Sequence, residues 1–411
     1  MGMVSALGNN VEENLISLRE NRSGIGKLKY LQTSHTEFPV GEVKMSNEEM
    51  IDLLGLPHNK PTIRTALMGM IAVREALHHC GLLLQSSNKR KIPATEEMTE
   101  KKIALISGTT VGGMDKSEQF YLDFLENDTK NEYISTHDCG TCTEIIADYF
   151  GIFSQVDTLS TACSSAANAI ILGAELLKSG RADIVVAGGC ECITKFHLNG
   201  FNTLMILDKE PCRPFDATRA GLNLGEGAAY VVMETMENFF RRSVLHTIKT
   251  ELLCKLSGYA NTCDAFHQTA SSPDGEGAYL AMKQALENAG LQPEEIDYIN
   301  AHGTGTPNND VSEGTAIVRL FREKIPPVSS TKSFTGHTTS AAGCVESVIS
   351  ILALQHNFIP VNLNFSEKMP ELPFVPALNQ QPVKPLQHIL KNSFGFGGND
   401  TCLIFSKIDE T

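Results

Sequence analysis

Apolar residues recur along this chain in two rhythms. Short runs rich in β-branched residues, such as "ADIVVAGG" (182–189) and "AAYVVME" (228–234), read as strands. Longer stretches carry the 3.6-residue period of amphipathic helices. The two alternate, which predicts an α/β fold of largely parallel sheets covered by helices. Two helical segments also echo each other. "AVREALHHCGL" (72–82) and "AMKQALENAGL" (281–291) share the pattern A-x-x-x-A-L-x-x-x-G-L, each ending on a glycine suited to a helix C-cap. Each is followed by an apolar strand, "KIALISGTTVGG" and "IDYINAHGTGT". Each half then has a second strand–turn–helix, "VDTLSTACSSAANAIILGAELL" and "VSSTKSFTGHTTSAAGCVESVISILAL". The repeated order predicts an internal duplication, with halves at residues 1–245 and 246–411. "QVDTLSTAC" reads as a buried strand. Residues 83–100 and the proline-rich 365–390 read as surface excursions.

Composition narrows the class. With 42% hydrophobic and 20% charged residues the chain is an ordinary globular one. No apolar run is long enough to span a bilayer and no signal-peptide pattern opens the chain, so the expected compartment is the cytoplasm, with no membrane partner. Eleven scattered cysteines fit free thiols in a reducing compartment. A net charge of −14 argues against general nucleic-acid binding. Local basic candidates are Lys60 with Arg64, the run Lys89-Arg90-Lys91, and Arg213 with Arg219, although most such runs are simply solvated.

The stretch "LSTACSSAANAIILGAELLKSG" (159–180) sets Cys163 where a strand turns into a helix. A thiol there lies at the positive end of the helix dipole, which is expected to lower its pKa and raise the nucleophilic thiolate fraction. Helix N–H groups can hold a developing oxyanion. Ala162, Ser164, Ser165, Ala166 and Ala167 are expected to leave room for an incoming group. A small buried core cysteine would satisfy the same local pattern. His302 in "NAHGTGTPNND" and His337 in "SSTKSFTGHTTSAAG" sit in Gly/Thr loops at the same end of their sheets, where active sites of α/β folds collect. Lys332 adds a cation that, if buried, needs a carboxylate; Glu346 or Glu313 could serve. "GTGT" (303–306) lacks phosphate-loop spacing, which argues against nucleotide binding; it offers two hydroxyls, Thr304 and Thr306, to an amide-rich ligand arm. "HDCGTC" and "CEC" hint at metal, but no second C-x-x-C follows, so no metal is expected. "NSFGFGGND" (392–400) is a glycine turn able to approach the site, with Phe396 as a movable plug.

"TACSS", "NAHGTGTPNND", "SSTKSFTGHTTSAAG" and "NSFGFGG", in that order, together with "RPFDATRAGLNLGEGAAYVVME" (213–234), resemble the β-ketoacyl-acyl carrier protein synthases of the elongating class. The resemblance covers nearly the whole chain. It implies a thiolase-like αβαβα sandwich and a homodimer, a heterodimer with a related subunit being the other arrangement. It implies decarboxylating condensation of an enzyme-bound acyl group with malonyl-acyl carrier protein in fatty acid elongation. No cofactor is implied beyond the phosphopantetheine that carries the substrates. Cys163 would accept the acyl group; His302 and His337 would stabilise the enolate. The N–H groups of Cys163 and Phe396 would form an oxyanion hole. Lys332, paired with Glu346, would organise the site. Thr304 and Thr306 would bind the pantetheine arm, and Phe396 resembles a gating phenylalanine. Val111, Phe201 and Thr269 fall where the family lines or borders the acyl pocket. Lys60, Arg64 and Arg213 would dock the acidic carrier.

Three departures stand out. The chain opens at "MGMVSALGNN", inside the family's first turn, so the first strand is expected to be missing through a late start codon or a trimmed chain. "EYISTHDCGTCTEIIADYFGIFSQ" differs where the family shapes the far end of the acyl pocket and the dimer contact. "GGND" replaces Gly-Gly-Thr-Asn. The second and third bear on substrate identity. The nearest rival is therefore a condensing enzyme of polyketide or aryl-polyene assembly. A non-catalytic chain-length-type partner subunit is the rival of a different class, and Cys163 with both histidines argues against it.

Overall fold

The computed structural model describes residues 1–59, 62–83, 101–127, 129, 131–245 and 251–408. Most of the 83–100 excursion, with the 89–91 basic run, lies outside the described residues, as does Lys60. Among the described residues, ten strands make two sheets. The first holds β1 (Gly2–Ser5), β2 (Ile103–Gly108), β3 (Gln155–Leu159), β4 (Ile184–Glu191) and β5 (Gly227–Glu234), in the order β1-β5-β4-β2-β3. The second holds β6 (Lys255–Cys263), β7 (Tyr298–Asn300), β8 (Val328–Ser329), β9 (His388–Gly395) and β10 (Asn399–Ser406), in the order β6-β10-β9-β7-β8. The second order repeats the first strand for strand. So do the directions: β1–β5, β5–β4 and their counterparts are antiparallel, while β4–β2, β2–β3 and theirs are parallel.

Strand alternation divides each sheet between two cores. In β2, Ala104 and Ile106 face the centre, while Ile103 and Leu105 face outward. The central core holds the helices Ser165–Lys178 and Ala342–His356, sandwiched between the inner faces of both sheets. Helices Arg64–His79 and Cys139–Phe150 cover the outer face of the first sheet. Helices Glu276–Ala289 and Pro307–Phe321 cover that of the second. The result is the five-layer αβαβα sandwich of two similar halves. The central helices are apolar almost all round because sheet or helix lies on every side of them. Burying Val345, Val348, Ile349 and Leu352 there stabilises the fold by about 1.5–3 kcal/mol each.

Four local expectations change. The sheets are mixed rather than largely parallel: the turn at 396–398 joins β9 directly to β10, and so short a link permits only an antiparallel pair. The first strand is not missing, since Gly2–Ser5 pairs antiparallel with β5. β3 is an edge strand, and Val156 is exposed rather than buried. The 365–390 stretch is anchored, not an excursion: Met369, Leu372 and Leu386 are buried, and Asp216 accepts hydrogen bonds from the Ser366 and Glu367 N–H groups.

The central helices approach closely at their N-termini, where a Cβ on Gly343 would lie 2.3 Å from Ala167 N. Gly343→Ala is therefore expected to cost about 1–3 kcal/mol through overpacking. Thermal unfolding by circular dichroism should show a lower Tm than for Gly200→Ala, whose Cβ would meet open space. Equal Tm values would contradict this packing.

Candidate active site

The inner helix of each half starts at the same end of the sandwich, and both bring chemistry there. In the first half the chain leaves β3, bends sharply at Ala162 (φ +52°), and enters the helix just after Cys163. A positive φ at a residue with a Cβ is strained and must be held. The serines of "TACSS" hold it. Ser165 Oγ donates to Ala162 O at 2.6 Å and accepts from Thr161 N at 2.9 Å. Ser164 Oγ donates to Asn399 Oδ1 at 2.6 Å, which ties the bend to β10 through the Asn of "GGND". Ala166 and Ala167 are small for packing reasons, lying against the backbones of Gly108 and Gly343, rather than to leave room for a ligand.

The second half supplies the histidines. His302 follows β7, where Glu313 accepts from the His302 and Gly303 N–H groups at 2.8 and 2.7 Å. His337 follows the short helix Lys332–Thr335 and is pinned by the first half: its N–H donates to Asn223 O at 2.7 Å, and its carbonyl accepts from Gly225 N at 2.9 Å. That is what the "GLNLGEG" stretch does. A Cβ on Gly225 would lie 2.3 Å from Thr335 O.

These elements converge. His337 Nε2 lies 3.1 Å from Cys163 Sγ, and the two imidazole rings stand nearly perpendicular, with centroids 5.2 Å apart. Lys332 Nζ lies 3.2 Å from His302 Nδ1 and 2.5 Å from His302 O, and it pairs with Glu346. An ammonium only donates, so His302 Nδ1 accepts, and neutral His302 carries its proton on Nε2. The three contacts use all three Lys332 donors. Burial, reinforced by Lys332, holds both histidines well below their ordinary value. Burial pushes the Cys163 thiol up to about 12, against the pull of Lys332 and of the Phe396 backbone N–H on the sulfur. The lowered thiol pKa expected from the helix start is therefore not found: desolvation outweighs it in this dry site. The thiol rests protonated, with the neutral His337 at hand to take its proton.

Phe396 caps the site at the β9–β10 turn. A Cβ on Gly395 would lie 2.9 Å from Thr161 O and 3.2 Å from Cys163 N, so only glycine lets the turn approach the nucleophile this closely. The Phe396 ring stacks on Phe201, with centroids 5.8 Å apart. Gly397 N donates to Gln268 O, clipping the turn to the exposed loop that carries Thr269. Val111 is buried in the outer core of the first sheet. Thr304 and Thr306 are buried, with their hydroxyls 2.8 Å apart, and Thr306 caps the helix Pro307–Phe321.

The docking patch does not assemble as expected. Arg64 points inward from the first turn of its helix, is 8% exposed, and binds Glu226 at 2.5 Å and the carbonyls of Val43 and Met45. It is structural. Arg213 is partly exposed and already bound to Asp208 at 2.8 Å. Sequence reasoning also missed Lys391, which is wholly buried and 3.1 Å from Glu346 Oε2. Its signal was a lysine in "HILKNS", two residues from Ile389 and so on the same, inward face of the strand. No cluster of three or more His, Cys, Asp or Glu able to hold a metal occurs among the described residues.

Comparison with known proteins shows the family. Residues 1–238 match "Beta-ketoacyl synthase, N-terminal domain", and residues 253–366 match "Beta-ketoacyl synthase, C-terminal domain". The chain is 31% identical to nodulation protein E of Rhizobium meliloti, over 99% of this chain and 98% of that one. It is 32% identical to 3-oxoacyl-acyl-carrier-protein synthase 2 of Coxiella burnetii, over 99% and 97%. Among solved structures it resembles a chain of the ketosynthase ApeO in complex with its chain length factor ApeC from Xenorhabdus doucetiae, with TM-score 0.79 and 30% identity, over 99% and 96%. With both family domains matched and Cys163, His302 and His337 brought together between its halves, the chain belongs to the β-ketoacyl synthase family of acyl-transferring condensing enzymes.

Proposed function

We propose that this enzyme elongates fatty acyl chains by decarboxylating condensation of an acyl group on Cys163 with malonyl-acyl carrier protein, in the cytoplasm. The observation that carries the reading is the neutral His337 3.1 Å from the Cys163 sulfur, beside a His302 whose outer nitrogen keeps its proton. In the first step His337 Nε2 takes the thiol proton as the sulfur attacks the carrier thioester. It then returns that proton to the departing pantetheine sulfur. The Cys163 and Phe396 N–H groups stabilise the oxyanion. In the second step the malonyl thioester oxygen sits between His302 and His337. Carbon dioxide leaves, the bonding pair becomes an enolate, and the hydrogen bond that His302 Nε2–H donates to that oxygen stabilises its charge. The enolate carbon forms the new bond to the acyl carbonyl, the Cys163 sulfur leaves as the thiolate, and a proton taken up from solvent restores the thiol. Thr304 and Thr306 hold the pantetheine arm, Phe396 gates the pocket with Phe201, and Val111 and Thr269 border it.

A second reading, polyketide or aryl-polyene assembly, draws on the likeness to a ketosynthase–chain length factor complex. Competing saturated against polyenoyl carriers, with the 3-oxo product read by mass spectrometry, separates the two. A saturated preference supports elongation, and a polyenoyl preference overturns it.

Removing His302 should slow carbon dioxide release by about 10²–10³-fold, the size of losing one charge-stabilising donor. Wild-type rates in His302→Ala would contradict the role given to it. The working histidines are neutral and sit well below 6.5, so activity should stay level from pH 8 down to about 6.5 and fall only below it. Stability has the same sign. Below 6.5 the unfolded chain binds protons that the folded histidines refuse, so stability drops as pH falls toward their folded values. An acid limb above pH 7 would contradict this.

We also propose a dimer through the β3 edge. Among the described residues no strand pairs with that edge, Val156 on it is exposed, and Tyr121, Leu122, Phe124, Leu125 and Ile134 expose an apolar face on the segment before it. A second copy of this chain is the proposed partner, and a related subunit is the alternative. Sedimentation of the purified chain should give a dimer, and Leu122→Glu with Leu125→Glu a monomer. A wild-type monomer would contradict self-association.

A further inference from the structure

The mechanism leaves a buried cation without a task. Lys391 lies on β9 with no exposed surface. Its side chain faces the central helices, as Ile389 does. Nζ contacts Ser393 Oγ and stands 3.1 Å from Glu346 Oε2, an ion pair without hydrogen-bond alignment. The other oxygen of the same carboxylate holds Lys332. Asn300, the register partner of Lys391 on β7, lies on the same face of the sheet and donates to Ser350 Oγ at 3.1 Å. Its Oδ1, like Glu346 Oε2, has no hydrogen-bond partner among the described residues. One acceptor oxygen, Glu346 Oε2, thus sits beside this buried ammonium with no hydrogen bond of its own. A hydrocarbon side chain at this position would avoid a large desolvation cost, so the charge calls for a reason.

We propose that Lys391 is a positioning residue for the condensation: it fixes the free oxygen of Glu346 and sets a second positive charge behind Lys332 and His302. The inference rests on the reading of the site given above. Burial holds the Lys391 ammonium below its ordinary value and Glu346 pulls it back up; with both lysines protonated, two ammonium groups share one carboxylate, and the cluster carries net positive charge. That field opposes protonation of His302 and His337, on both of which Lys391 acts, and it favours the negative charge that develops on the enolate oxygen. The other groups facing Lys391 are Cys344 on the helix Ala342–His356 and Cys402 on β10, both with thiols raised by burial and so neutral. Glu346 is thus the carboxylate that balances the two lysines.

The test is carbon dioxide release from malonyl-acyl carrier protein across pH 5–8, on the full-length enzyme. Lys391→Met and the milder Lys391→Gln are compared with wild type, and folding is checked by circular dichroism. Losing the charge should lower kcat about tenfold or more with KM unchanged, and move the acid limb up by about one pH unit, because a histidine relieved of a nearby cation protonates more readily. Added methylammonium should restore rate to Lys391→Ala. Should Lys391→Met fail to fold, Lys391→Gln carries the comparison, since its neutral amide can still donate to Glu346. Folded variants with the wild-type acid limb and no response to methylammonium would overturn the proposal, because a purely structural lysine predicts that result. A wild-type enzyme that releases no carbon dioxide would instead overturn the condensing reading itself.

Discussion

The site depends on one buried ammonium. Lys332 has three protons to give, and the fold supplies three acceptors: the ring and the carbonyl of His302, and the carboxylate of Glu346. Each contact has a consequence. The first fixes the His302 tautomer and leaves its outer nitrogen a donor. The second locks the backbone that presents that ring. The third keeps the charge from standing unpaired in a dry interior, where an isolated ammonium would be prohibitively costly. With its donors occupied, Lys332 holds the site together, the part proposed for it above. Burial and the same positive field hold both histidines well below their ordinary value, as the proposed proton transfer from the thiol requires.

The duplicated architecture explains how so many polar groups can be buried together. Two helices run through the middle of the sandwich, and small residues at their N-terminal ends let Gly343 lie against Ala167. That contact brings Cys163 of one half within reach of the histidines of the other. The cross-ties run both ways. The first half pins His337 through Asn223 and Gly225, and the second pins the Cys163 bend through Asn399. Neither half holds a complete site, so the chemistry depends on the interface between them.

Much of this was legible in the sequence because it is local. The A-x-x-x-A-L-x-x-x-G-L echo marked the outer helices of both halves, and the repeated strand order followed from it. Cys163, His302, Lys332 and His337 sit in short Gly/Thr/Ser turns whose spacing survives without knowledge of packing. What the sequence did not disclose depends on distant partners. Arg64 looks like a surface cation until Glu226, 162 residues away, is placed beside it. The thiol of Cys163 was expected to be acidic from the helix start alone, whereas burial by both halves decides its state. Lys391 was hidden among apolar residues, and only the carboxylate shared with Lys332 reveals it. Strand direction escaped for a related reason, since alternating strand and helix signals do not say which strands pair across a tight turn.

Intact-protein mass spectrometry after mixing with acyl-acyl carrier protein tests the role of Cys163 most directly. Wild type should gain the mass of one acyl group, and Cys163→Ala should gain none. Equal acylation of both proteins would place the nucleophile elsewhere and contradict the mechanism derived from this site.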